Sequence, residues 1–158
     1  MKFVTRRGVR LDRSACAWLI LRHIDPQAEI LYVDAKSLNQ AIEDGALPFH
    51  NTVSEDPGTR ERTSFQELMA EYKLDETNPV LALMGEIVHF AEIKETGSLA
   101  EAAGLHAIAK GMNALSRSDQ EMVQRMLPVF DALYAYCVRQ VEGHQGWANA
   151  EETWGQDG

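Results

Sequence analysis

An apolar run, AlaCysAlaTrpLeuIleLeu at Ala15–Leu21, lies between two short β-branched segments, and this arrangement limits the fold more than any other feature of the chain. The run is bounded by Arg13 and Arg22, so it falls short of the roughly 18 apolar residues that a membrane-crossing helix needs. It reads as a buried helix. Asp12 is placed to cap its start, and Asp25 before Pro26 supplies a stop, because a residue preceding proline disfavours the α region. LysPheValThr at Lys2–Thr5 and GluIleLeuTyrValAsp at Glu29–Asp34 have strand composition. The result is a strand, helix, strand unit. If its strands are parallel neighbours, the loop from Arg6 to Leu11 sits beyond the carboxyl end of the first strand, where open α/β sheets bind ligands.

Beyond this unit the patterning turns helical. A second helix is expected over Ala35–Glu43, followed by a long polar stretch from Asp44 to Thr63 that contains Gly45, Pro48, Pro57 and Gly58. Four further helix starts carry capping signals: Ser64 with Glu67, Asn78 before Pro79, Ser98 with Glu101, and Ser118 with Glu121. The last helix, about Asp119–Val141, contains Pro128, which removes a backbone donor and is expected to kink or split it near Leu127. The expectation is an α+β fold, predominantly helical, with a small N-terminal β-α-β unit followed by a bundle-like region. With 158 residues, 45% of them hydrophobic, one core is the natural outcome: a single domain over 1–142 and a flexible tail over 143–158.

Charge and cysteine usage narrow the function classes. A net charge of −9 argues against general nucleic-acid binding, which depends on neutralising phosphates. The positive charge gathers at one end, where Lys2, Arg6, Arg7, Arg10 and Arg13 face the single carboxylate of Asp12 within residues 1–13. Cys16 and Cys137 both lie in apolar helical segments outside any metal or redox spacing, and they read as free, buried thiols. With no apolar secretory leader at the start, a cytoplasmic location is expected.

Two constellations could carry chemistry. Arg6, Arg7, Arg10 and Arg13 surround the opening of the first helix, where unpaired N–H groups and the helix dipole favour an anion and guanidinium groups bind tetrahedral oxyanions through paired hydrogen bonds. The alternative is that they are solvated, or paired with the acidic remainder of the chain. Glu86, His89 and Glu92 form a polar stripe on an otherwise apolar helix. Such a stripe either faces solvent or contributes to a metal site.

Asp131 lies in a strongly apolar aromatic segment and requires a partner: an arginine, a tyrosine hydroxyl or a metal. His23 is placed to be held as a cation by the helix end and Asp25, a structural role. His50 could supply a ligand from the long loop, whereas His106 and His144 give no signal. No nucleophile arrangement is supported, and no motif for nucleotide, flavin or iron–sulfur binding is visible.

Four segments together, Val4–Pro26, Glu86–Ile93, Glu101–Ile108 and Pro128–Cys137, resemble the C-terminal domain of the chromate-resistance protein ChrB. The likeness runs in order over most of Phe3 to Cys137. Where the family typically carries a histidine- and glycine-rich stretch before its Ser/Thr-Phe segment, this chain has no histidine between Asn51 and Phe65.

The resemblance implies a role in chromate stress, and with it two readings. One is a domain that binds a small oxyanion through Arg6, Arg7 and Arg13. The other is a metal-dependent enzyme or metal sensor in which His89, Glu92, Asp12 and Asp131 converge on manganese, iron or zinc. A third reading is an interaction module that uses a helical face or the tail with Trp147 and Trp154. Direct chromate reduction is disfavoured for want of an electron-carrying cofactor motif.

Overall fold

The computed structural model describes residues 1–49, 62–93 and 99–143. Strand β1 (Lys2–Arg6) is central in a three-stranded parallel sheet, between β2 (Glu29–Val33) and β3 (Leu47–Pro48). Lys2 pairs with Glu29 and Arg6 with Val33, so the expected strand, helix, strand unit is present with its strands parallel. The third strand, inside the stretch expected to be loop, is two residues long. Phe49 N–H donates to Val4 C=O at 3.1 Å, and Thr5 Oγ1 donates to Phe49 C=O at 3.0 Å, extending that pairing past Pro48.

Helix α1 (Leu11–Leu19) links β1 to β2 and continues into a π-helical turn, Ile20–Ile24, closed by Asp25 N–H to Ile20 C=O at 2.8 Å. From Ala15 to Ile20 every residue is buried, so this helix is the axis of the core rather than its cover. Helices α3 (Ser64–Glu71), α5 (Pro79–Ile93), α6 (Ala100–Leu115) and α7 (Asp119–Glu142) pack against it. Helix α2 (Ala35–Glu43) lies on the sheet, and the short α4 (Leu74–Thr77) joins α3 to α5. Trp18 anchors the centre, its ring in contact with Phe65, Phe130, Tyr134 and His23.

The caps correct several expectations. Thr63, not Ser64, is the N-cap of α3: its hydroxyl accepts from Gln66 N–H while the Gln66 side chain accepts from Thr63 N–H. Ser64 with Glu67 has the same spacing, but the Ser64 N–H is taken by the Asp12 carboxylate. Asn78 caps α5 as expected, its carbonyl oxygen accepting from the N–H groups of Val80 and Leu81. Helix α6 starts from Leu99 without a side-chain cap, and Ser98 lies outside the described residues.

Ser118 caps α7 through Glu121 N–H, and Pro128 does not split that helix. Pro128 sits on an exposed face, as does Gln124, whose carbonyl loses its helical donor and can turn to water. The expected tail beyond Gly143 and most of the long polar stretch, including His50, lie outside the described residues. Among the described residues no helix is long and apolar enough to cross a membrane.

Candidate functional site

The arginine-rich segment between β1 and α1 folds into a loop that holds an anion, and the anion is part of the chain. Gly8 adopts φ +87°, a left-handed conformation that favours glycine, and directs successive N–H groups toward one point. The carboxylate of Asp119, the first residue of α7, occupies that point. It accepts from Gly8 N–H at 3.1 Å and from Val9 N–H at 2.7 Å.

Arg13 fastens the loop from within. Its guanidinium donates to Thr5 Oγ1 at 3.3 Å, to Gly8 C=O at 2.7 Å and to the carbonyl of Arg6. Burial, followed by the charge of Arg6, holds the Arg13 pKa below its ordinary value. This arginine is therefore a structural brace. Arg7 is exposed and pairs with Asp34 at 3.1 Å, while Arg10 reaches a different cavity.

Beside the Asp119 carboxylate opens a cleft of about 470 Å³ between this loop and the α6–α7 corner, lined by Arg7, Gly8, Tyr32, Ser116, Arg117 and Asp119 among others. Arg7 and Arg117 bring positive charge to it from two different elements. Burial and then the Asp119 charge push the Tyr32 phenol upward, so it stays protonated and able to donate. Of the residues expected at an oxyanion site, Arg7 lines this cleft, whereas Arg6 and Arg13 are not among its lining residues.

Arg117 and Asp119 drew no attention in the sequence. A signal existed: the Ser118 cap fixes Asp119 in the first turn of a helix, but an acid there reads simply as a complement to the helix dipole.

The four residues expected to share a metal are separated by function. Asp12 is buried and lies within α1 rather than capping it; its carboxylate accepts from Ser64 N–H at 2.8 Å and Phe65 N–H at 3.0 Å. It caps α3, a helix 52 residues further along. His89 Nδ1 lies 3.0 Å from Gln66 Oε1, and Glu92 faces a second cavity.

Asp131 is on neither: it accepts from Trp18 Nε1 at 2.7 Å and from Arg22 Nε at 3.0 Å, with its side chain 46% exposed. The arginine bond, with the indole adding to it, holds this carboxyl below the ordinary range. Its partner is the arginine the sequence allowed. Among the described residues no three histidine, cysteine or acidic side chains stand close enough to hold a metal ion. Nor is His23 the expected cation. Burial lowers its pKa, and Asp25 pairs instead with the N-terminal ammonium at 2.6 Å.

Residues 3–137 match the family described as ChrB, C-terminal domain, a span that holds the whole loop, the cleft and α7 as far as Cys137. The chain belongs to that family. Protein ChrB of Cupriavidus metallidurans strain CH34 is similar to it, 33% identical over 135 residues, which cover 85% of this chain and 40% of that protein. The chain thus spans less than half the length of its ChrB relative. No solved structure matches. Within the ChrB C-terminal domain, the Asp119 contact joins the β-α-β unit to the final helix across 110 residues of sequence.

Proposed function

We propose that this ChrB C-terminal domain serves chromate resistance as an oxyanion-responsive binding domain, taking a tetrahedral dianion of the chromate or sulfate type in the cleft beside Asp119. The observation that carries the reading is the Asp119 carboxylate on the Gly8 and Val9 N–H groups: the loop already selects a negatively charged oxygen ligand. An entering oxyanion offers the same acceptor chemistry with more charge. Arg7 and Arg117 are positioned on the cleft walls to meet it. Asp119 is then a built-in competitor, and binding exchanges one anion for another rather than filling an empty nest.

Titration calorimetry with chromate and sulfate tests this. Asp119→Asn removes the competing charge and is expected to tighten binding about tenfold, the factor that corresponds to about 1.4 kcal/mol. Arg7→Ala and Arg117→Ala are each expected to weaken it by a similar factor. Affinity that stays the same in all three variants sinks the assignment.

A further inference from the structure

We propose a second ligand site, adjoining the Asp119 cleft at Asn113, that takes a small organic acid carrying a hydrogen-bond donor on the carbon next to its carboxylate. The site is a cavity of about 290 Å³ between the β1–α1 loop, α5 and α6, a size suited to a small metabolite. Its walls bring together Arg10 from the loop, Glu92 from α5, and His106, Lys110 and Asn113 from α6, over an apolar floor of Leu11 and Ala109. His106, Lys110 and Asn113 follow the four- and three-residue steps that put side chains on one helix face.

Two features define the ligand. Among the described residues neither Arg10 nor Lys110 enters an ion pair, so two cations that line one cavity are available to a carboxylate. His106 Nδ1 lies 3.0 Å from Ala91 C=O. A carbonyl oxygen can only accept, so Nδ1 carries the proton, and in the neutral ring Nε2 is left as an acceptor. The cavity therefore presents cations for a carboxylate and an imidazole acceptor for a donor. A bare oxyanion satisfies the first half and not the second. Hydroxy acids and amino acids share the chemistry that satisfies both.

Glycine, glycolate and acetate, added separately to the whole chain labelled with ¹⁵N-histidine, distinguish the sources. The ammonium of glycine or the hydroxyl of glycolate is expected to move the His106 Nε2 resonance and to give at least tenfold tighter binding than acetate, which lacks a donor. His106→Gln identifies that resonance by its loss. Arg10→Gln and Lys110→Gln, both at exposed positions that leave the core intact, are each expected to weaken binding at least tenfold. The proposal is overturned if none of the three probes binds, if acetate binds as well as the other two, or if neither cation variant weakens binding.

Discussion

Trp18→Ala is expected to destabilise the domain by about 4 kcal/mol, in the range for removing a large aromatic side chain from a packed core. Trp18 is 1% exposed and touches four other rings, and its indole N–H is also a donor to Asp131. For a chain of this size the loss corresponds to a fall in Tm of about 8–16 °C. Trp18→Phe separates the two contributions. It keeps most of the ring contact and loses the hydrogen bond, so a smaller loss of about 1–3 kcal/mol is expected. Urea denaturation of both variants checks the pair; equal stability of Trp18→Phe and the parent chain would show that the bond to Asp131 contributes nothing.

Asp12→Ala is expected to cost about 3 kcal/mol although it removes only a small side chain. Two backbone N–H groups at the start of α3 would be left in a buried setting, and each orphaned donor costs about 1–3 kcal/mol. Asp12→Asn retains an acceptor oxygen but not the charge that complements the helix dipole, so about half of the loss should return. The diagnostic readout is local. Amide hydrogen exchange at Ser64 and Phe65 should accelerate in Asp12→Ala by more than at Val80 and Leu81, where Asn78 is the cap. Uniform acceleration across both helices would contradict the capping role.

What could be read from the residues divides along a physical line. The β-α-β unit was legible because β-branched segments flank an apolar run with polar ends, and its strands are parallel as expected. The Asn78 and Ser118 caps were legible because each cap and its recipient are two or three residues apart. Asp12 misled for the same reason. It stands where a cap for α1 belongs, but its partners lie 52 and 53 residues away, and proximity in sequence carries no information about them.

The arginines show the same limit. Their clustering at the loop was visible, but Arg13 is spent on two main-chain carbonyls and a threonine hydroxyl, acceptors that composition does not reveal. The second wall of the cleft, with Arg117 and Asp119, comes from the far end of the chain. Strand β3 was missed because two residues, one of them proline, are too few to form a pattern.

The interior placement of Cys16 and Cys137 has a chemical consequence. Both thiols are buried and unpaired, and desolvation raises both pKa values, that of Cys137 to about 11. Because the thiolate is the species that reduces oxidants and attacks alkylating agents, the native chain is chemically quiet toward either. Each sulfur becomes reactive only when its surroundings part: one lies on the central helix, the other near the end of α7. The rate at which each thiol is modified therefore records how often the core opens around it.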